Sequence, residues 1–301
     1  MGQSGLKSAK EVLRNDSNKN KMNWEDMNIP EDILWEVLIR VPAKDIVKSC
    51  ARVCKQWHYI IESKHFWIQK CSEKHQYSRE LIQILADDDF KKLYFRSPYQ
   101  TNLILNPCAE KGLDDWVINR RGGNGWKCEE PCGCDPIVNY TYDNQNKDIK
   151  CWVTSYHECT KSQTIDLLAR GCSKYILDVV KPDICISEWY AGRFDCSMKY
   201  ILNVKLLGEK KGNSLKAWSH IDEKPAGRDW FKAQHTFTDY PSGVRFIEYS
   251  HTGVDGQFWA GWYGAKMTLS TVKLDFTHTF KKMVDKTGSS AESENQSGPS
   301  V

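Results

Sequence analysis

The residues best equipped for chemistry fall in a few short stretches. Cys128, Cys132 and Cys134 form CEEPCGC. Grouped thiols bind zinc, but structural zinc sites favour paired knuckles and a defined fourth ligand. Here the spacing is C-x3-C-x-C, and Cys151, His157 and Cys159 become candidates only if strand pairing brings them near. The bland alternative is a turn that holds free thiols, and the expectation is no metal and no cofactor. His157 and Glu158 begin like a zinc-protease motif, but HECTK supplies no second histidine at helical spacing. Asp114 and Asp115 are adjacent in GLDDWVI. On a strand they face opposite ways, so they cannot act together as a glycosidase pair. There is no nucleophile elbow, phosphate loop or dinucleotide fingerprint, and no catalytic residue is expected.

Two other stretches combine glycines, large aromatics and an acid. One is EWYAGRFDCS, residues 188–197, with Asp195; the other is GVDGQFWAGWYGAK, residues 253–266, with Asp255. Glycine favours turns, and turns lie at the surface. Each stretch precedes an apolar run that reads as a strand. Large aromatics held where water reaches them argue for a binding role.

The elements that position these residues follow from composition and periodicity. The 301 residues are 40% apolar and 27% charged, an ordinary globular balance whose length favours two domains. A net charge of +3 is too small to argue for nucleic acid or an anionic membrane surface. No apolar run has the length that spans a bilayer. The N-terminal MGQSGLKSAKEVLRNDSNKNK has no apolar h-region, and Leu6 stands where a myristoylation signal needs Ser or Thr. A soluble, cytoplasmic chain is expected, with its twelve cysteines reduced and the sequons at Asn15, Asn139 and Asn295 unmodified. Most of the twelve tryptophans are expected in the core.

Residues 1–22 are polar and lysine-rich, and 287–301 are a Ser/Gly/Glu tail; neither can bury a core, and both are expected to be disordered. Residues 24–71 read as a small helical unit. Pro30 suits a first helical position, and Glu31 and Asp32 meet the positive end of the helix dipole. Ile33, Leu34, Val37, Leu38 and Val41 recur at helical spacing, and Pro42 ends that helix. A second helix starts at Ala43, Val53, Trp57 and Ile60 stripe a third, and Phe66 and Trp67 sit in a short fourth. Ile29, Leu34 and Leu38 cannot all point inward in so small a bundle. Either a partner or the second domain covers the surplus. Residues 72–100 read as a helical linker with apolar spacing at Leu81, Ile84, Leu85 and at Phe90, Leu93, Tyr94. From 101 to 286, short Val/Ile/Tyr/Trp-rich runs alternate with Gly, Pro, Asn and Asp clusters, as in an antiparallel sandwich. Alternation is visible at Tyr200, Leu202, Val204 and Leu206, and at Val244, Phe246, Ile247 and Tyr249. ARGCSKYILDVVKP reads as one short helix within it.

Two resemblances sharpen this reading. IPEDILWEVLIRVPAKDIVKSCARVCKQWHYIIES, closed by Phe66-Trp67, resembles the F-box motif in its Ile-Pro opening, its L..R(V)P..D(I) middle and its VCK.W segment. The resemblance implies binding to the Skp adaptor of cullin-based ubiquitin ligases. Ile29, Pro30, Ile33, Leu34, Leu38, Val41, Pro42, Val53 and Trp57 are the residues it assigns to that contact. Residues 101–276 resemble the F-box-associated domain of sugar-recognising F-box proteins, block by block and in order. That resemblance implies an α+β chain: a helical F-box, a helical linker and a jelly-roll-like antiparallel β-sandwich. It further implies recognition of the chitobiose core of high-mannose N-glycans on misfolded glycoproteins retrotranslocated from the endoplasmic reticulum, and so a place at its cytosolic face. A substrate receptor for a peptide degron, a stand-alone cytosolic lectin-like protein and, last, an enzyme acting on glycans are the rival readings.

A pyranose carries an apolar C–H face and a polar rim. A flat indole covers the face while acids and amides hold the rim. In glycan-binding members of the family a Phe-Asp pair in one loop and a Tyr-Trp-Lys run in the other hold the sugar. Phe194 and Asp195 match the pair, while Phe258, Trp259 and Ala260 stand for the run. Phe258 lacks the hydroxyl and Ala260 lacks the cation. Trp262 and Tyr263 match family aromatics assigned to the core, and Trp189 and Tyr190 fit either role.

Overall fold

Pro30 stands at the N-cap of the first helix in the computed structural model, which describes residues 29–137, 149–210 and 212–279. The expected disordered ends, the N-terminal Met-Gly and the three sequons lie outside the described residues. The chain divides into two compact units, residues 1–70 and 71–301.

The first unit is helical. Helix α1 (Glu31–Arg40) opens with Glu31 and Asp32 and closes with Arg40, the charge order that complements its dipole. Helix α2 (Ala43–Lys48) leads through a 3-10 turn (Cys50–Arg52) to α3 (Lys55–Glu62), and α4 begins at Lys64. Leu34, Leu38, Ile39, Ile46, Ile60, Ile61, Phe66 and Trp67 form the core. Lys70 is buried and donates to the carbonyls of Ile39 and Val41, so it satisfies acceptors left open where α1 ends. The fourth helix is not short. It runs from Lys64 to His75, because no proline or glycine interrupts KHFWIQKCSEKH.

Within the second unit, which starts inside α4 at Cys71, follow α5 (Arg79–Ile84), N-capped by Ser78, and α6 (Phe90–Arg96), N-capped by Asp89. Ten strands follow: β1 (Val117–Arg120), β2 (Lys127–Glu129), β3 (Cys151–Val153), β4 (Cys159–Asp166), β5 (Asp183–Ala191), β6 (Met198–Leu207), β7 (Ser214–Lys224), β8 (Trp230–Phe237), β9 (Phe246–Asp255) and β10 (Lys266–Asp275). Among the described residues they form two antiparallel five-stranded sheets, ordered β1-β4-β9-β6-β7 and β2-β3-β10-β5-β8. This is a jelly-roll-like sandwich, as the alternation of its strands predicts. Tyr200, Leu202, Val204 and Leu206 all face inward on β6. On β9, Ile247 and Tyr249 face inward, but Phe246 takes the opposite phase from them. The expected short helix near residue 176 is one π-helical turn, Ile176–Val180, whose Asp178 takes both ends of the Arg245 guanidinium at 2.9 and 2.7 Å. Asp114 and Asp115 are not on a strand. They lie in the turn before β1, with Asp115 in the left-handed region at φ 69°. Among the described residues, no helix is long and apolar enough to cross a membrane.

The inner face of the sandwich is not wholly apolar. Glu188 of β5 is completely buried and accepts from Tyr200 of β6, from Ser270 of β10 and from His251 Nδ1 of β9 at 2.8 Å. Tyr190 stacks on Tyr200 across the sheets, with centroids 4.1 Å apart. Lys161 of β4, also fully buried, has no hydrogen-bond partner for its Nζ among the described residues. Its Nζ instead stands 3.2 Å from the ring centroid of Trp152 and 3.5 Å from that of Trp116, and Trp116 in turn stacks on His251 at 4.8 Å. Burial pushes the Glu188 carboxyl up, but its three donors outweigh this and hold it below the usual range, so it remains an anion. Burial, reinforced by Lys161, lowers His251 to about 4 despite Glu188. Burial drives Lys161 well below its ordinary value as well.

A stability prediction follows from His251. In the unfolded chain an ordinary histidine titrates near 6.5, whereas in the fold His251 stays neutral to about 4. Between those values the unfolded state binds the extra proton, so stability is full above pH 6.5 and falls as the pH drops through that window. The loss attributable to this group is about 3 kcal/mol by pH 4. Urea titrations at pH 7 and pH 4 on the parent and on His251→Gln measure it. The variant, which keeps a donor for Glu188 but cannot titrate, is expected to show a correspondingly smaller acid loss.

Candidate functional site

The two loops singled out by their aromatics join strands of opposite sheets at one end of the sandwich. Residues 192–197 connect β5 to β6, and residues 256–265 connect β9 to β10. The first stretch is mostly strand at its start. Residues 188–191 belong to β5, Glu188 and Tyr190 point inward, and only the part from Gly192 is loop. Pairing of β6 with β9 sets Met198 opposite Asp255, so the loops leave side by side. The Gly256 amide donates to the Ser197 carbonyl at 2.8 Å, and a β-carbon at Gly256 would lie 2.2 Å from Ser197 Oγ. A larger residue there would have to displace the Ser197 hydroxyl.

Asp255 does not face a ligand. It is buried and accepts from the backbone amides of Gln257, Phe258 and Trp259 at 3.2, 2.6 and 3.1 Å. These bonds hold Phe258 at φ 63°, a conformation that bulky residues rarely adopt. Further along the loop, Asn124 Oδ1 accepts from the Gly261 amide at 2.8 Å, and Ser155 donates to the Gly261 carbonyl at 2.6 Å. The result is a rigid turn that presents Phe258 and Trp259 to solvent, 66% and 43% exposed. Phe258 rests edge-on against His157 and Tyr156, at 4.8 and 5.6 Å between centroids. Trp259 meets Tyr263 edge-on at 5.7 Å, so one face of the indole can remain open.

The other loop reaches the same region through Arg193. Its guanidinium lies 4.8 Å from the Tyr263 ring and 5.5 Å from the ring of Phe194, while its Nε donates to Asp195 at 2.7 Å. Arg228 covers Phe194 at 5.0 Å. The Phe194 amide donates to the Gly133 carbonyl, and Gly227 donates to the carbonyl of Arg193. Phe194, Asp195, Trp259 and Tyr263 are therefore linked through Arg193, with Phe258 and Ala260 on the adjoining exposed turn. Arg193, Arg228 and the organising carboxylate of Asp255 were not assigned to these roles by sequence reasoning. The available signal was local: an arginine flanking an aromatic-acid pair, and an acid two residues before a glycine-rich aromatic turn. Trp262 is half-buried with an unpartnered indole N–H, and Tyr190 is core. Trp189 is half-buried, with Lys232 Nζ 5.9 Å from its ring.

The cysteine-rich turn buttresses this end. Cys128 lies on β2 opposite Trp152, and Cys132 donates to Glu129 at 3.0 Å. Glu129 is already held by Lys266 at 2.6 Å and Lys127 at 2.9 Å. Burial raises all three thiols of the turn, keeping them protonated. Among the described residues no three His, Cys, Asp or Glu side chains are grouped to hold an ion, and all twelve cysteines are free.

In the helical unit the adaptor candidates separate. Leu34 and Leu38 are 2% and 0% exposed and belong to the bundle core. They cannot themselves be the outward surplus. That surplus is carried by Ile33 and Val37, one turn apart on α1 and 57% and 52% exposed, with Val53 at 39%. Pro30 and Pro42 are exposed, while Ile29, Val41 and Trp57 are half-buried. Helical spacing placed all of these on neighbouring stripes but could not say which stripe the other helices would cover.

Comparison with known proteins accounts for both units. A family profile described as F-box domain matches residues 27–69, and one described as F-box associated region matches residues 94–274. F-box only protein 44 of Mus musculus is 36% identical over 248 residues, spanning 82% of this chain and 95% of that protein. F-box only protein 6 of Bos taurus is 38% identical over 255 residues, spanning 82% and 91%. F-box only protein 2 of Bos taurus is 37% identical over 250 residues, spanning 82% and 83%. Among solved structures, a carbohydrate-binding module in complex with β-1,4-galactotriose aligns with 58% of this chain and 99% of its own, at 13% identity and a TM-score of 0.38. The chain belongs to the F-box proteins that carry a C-terminal F-box-associated region.

Proposed function

We propose that this chain is the substrate-recognition subunit of a Skp–cullin–F-box ubiquitin ligase and that its sandwich binds the chitobiose core of N-linked high-mannose glycans. On this reading it delivers misfolded glycoproteins to ubiquitylation during endoplasmic-reticulum-associated degradation, acting in the cytoplasm at the organelle's cytosolic face. It needs no cofactor and performs no chemistry itself. The observation that carries the reading is the pair of solvent-exposed rings, Phe258 and Trp259, held on a rigid turn beside Phe194 and Asp195. An indole fixed by its own backbone binds a sugar face without losing the entropy of ordering a loop.

Asp195 is already engaged by Arg193, so a sugar hydroxyl would share that carboxylate instead of having it alone. Arg193 also places a cation near the ring cluster where Ala260 supplies none. Trp259→Ala is expected to remove most binding, because no neighbour replaces the flat ring. Ala260→Lys is expected to strengthen it by about 1 kcal/mol through a restored donor. Calorimetric titration with chitobiose measures both. If the parent does not bind and Ala260→Lys creates no binding, recognition runs through a peptide degron instead.

The ligase half of the reading rests on the exposed Ile33–Val37 stripe of α1. The double variant Ile33→Ser, Val37→Ser leaves the core residues untouched. It is expected to abolish co-purification with recombinant Skp adaptor while leaving the circular dichroism and melting of the chain unchanged. Undiminished co-purification would remove α1 from the adaptor contact.

A further inference from the structure

Away from the aromatic loops, the second unit contains a cavity of about 780 Å³ beside α6. Its wall holds Lys74, His75, Arg96, Arg170 and Lys273, and no carboxylate. The chain as a whole has 42 basic and 39 acidic residues, so a wall of one sign is not simply what its composition supplies. Arg96 taken alone has a structural reason, since it closes α6 where a cation suits the helix dipole. That reason does not extend to Arg170, in the turn after β4, or to Lys273, on β10. Cations from three separate elements converge on one space.

The groups around them are already committed. Lys74 and His75 both turn to the Tyr94 carbonyl, at 2.7 and 3.0 Å. Asn102 donates to the Ser270 carbonyl and accepts from the Ile104 and Val272 amides. Thr101 donates to the Ser97 carbonyl at 3.0 Å. Among the described residues, Arg96, Arg170 and Lys273 form no ion pair. Asp275 lies two residues beyond Lys273 but accepts from Thr277. The wall is thus preformed; Lys273 lies close enough to Asp275 to help hold that carboxyl below its usual range, while among the described residues the Arg96 and Arg170 guanidinium groups have no ion-pair partner.

Lys273 also lines a neighbouring depression of about 550 Å³ on the outer face of the second sheet, again without a carboxylate. Lys232, Ser187, Gln234 and Thr271 line it with donors and acceptors suited to a peptide backbone. We propose that the two depressions form a binding site for a phosphorylated peptide segment, with the phosphoryl group held by Arg96, Arg170 and Lys273 and the flanking residues crossing Lys232. Forked guanidinium groups match a dianionic phosphate better than a single carboxylate. A recessed cavity of this size, within the range of ligand sites, fits a side chain better than a flat lipid surface. It also lacks the extended basic track that nucleic acid needs. This site is separate from the glycan reading and does not depend on it.

The test uses the full chain and a degenerate phosphoserine peptide library, with the same library unphosphorylated, in fluorescence-anisotropy titrations. Preference for the phosphorylated library is expected, weakening as salt rises. Arg96→Gln with Arg170→Gln is expected to weaken binding by roughly tenfold or more, corresponding to about 1.4 kcal/mol. Lys273→Gln, on a different element, is expected to act in the same direction should the double variant melt early. Trp259→Ala is expected to leave phosphopeptide binding unchanged. Equal binding of the two libraries, or binding indifferent to both sets of substitutions, would overturn the proposal. Capture by phosphatidylserine vesicles without phosphopeptide preference would overturn it too, assigning the cations to a membrane surface.

Discussion

The buried carboxylate of Glu188 is the contact on which the rest of the sandwich turns. It sits on β5 and is held by Tyr200 of β6, His251 of β9 and Ser270 of β10. Those four strands are the ones that carry the two aromatic loops, and each contact lies within a few residues of a loop root. An unpaired buried anion would be costly, and a half-satisfied one more so than an apolar replacement. With three donors in place the cost is offset only when all four strands are in register. A slip of one residue on any strand would turn its contributing side chain to the outer face. The network therefore specifies the relative placement of the loops more than it adds stability. Lys161 extends the same logic, since a buried amine between Trp116 and Trp152 is tolerable only where both indoles are positioned to receive it.

Much of this arrangement could be read in the chain. The switch from helical to alternating periodicity near residue 101 identified the two kinds of fold, and the paired glycine-aromatic-acid stretches identified the loops. The inward polar residues were legible in principle. Ile184, Ile186, Glu188 and Tyr190 share one phase of β5, and Tyr249 and His251 share one phase of β9. A charged residue on the apolar phase of a strand is itself a signal, because it must find partners inside. Which partners it finds depends on strand order, and strands 63 residues apart, such as those of Glu188 and His251, leave no local trace of their pairing. The same limit explains α1. Its period gives stripes, but whether Leu34 and Leu38 or Ile33 and Val37 face outward is decided by where α3 and α4 pack.

The departures from the family's sugar-binding run acquire a physical context from the loop geometry. Asp255 spends its carboxylate on three backbone amides, so the turn is organised from within and does not depend on the side chain at 260. A lysine there would add a donor but is not needed to shape the turn. The hydroxyl missing at Phe258 likewise leaves the ring's support intact, because His157 and Tyr156 hold it through aromatic edges. On the proposed glycan reading, these substitutions would remove polar contacts while sparing apolar stacking. On that reading, selectivity would rest less on hydroxyl pattern and more on ring-face shape.

On the same proposed reading, Arg193 is the cation best placed for polar recognition. It is the cation that touches both loops, bonded to Asp195 on one side and lying over Tyr263 on the other. A guanidinium stacked between rings and tied to a carboxylate is oriented before any ligand arrives, and its remaining N–H groups point from a fixed plane. A ligand hydroxyl that bonds Asp195 meets the same guanidinium, so the two groups act as one donor–acceptor unit. The backbone of this loop is in turn pinned by Gly133 and Gly227, which places the orientation of that unit under the control of the cysteine-rich turn and the β7–β8 connection. The geometry of this loop end is thus set by segments outside the two loops, and the loops themselves leave strands that Glu188 binds together.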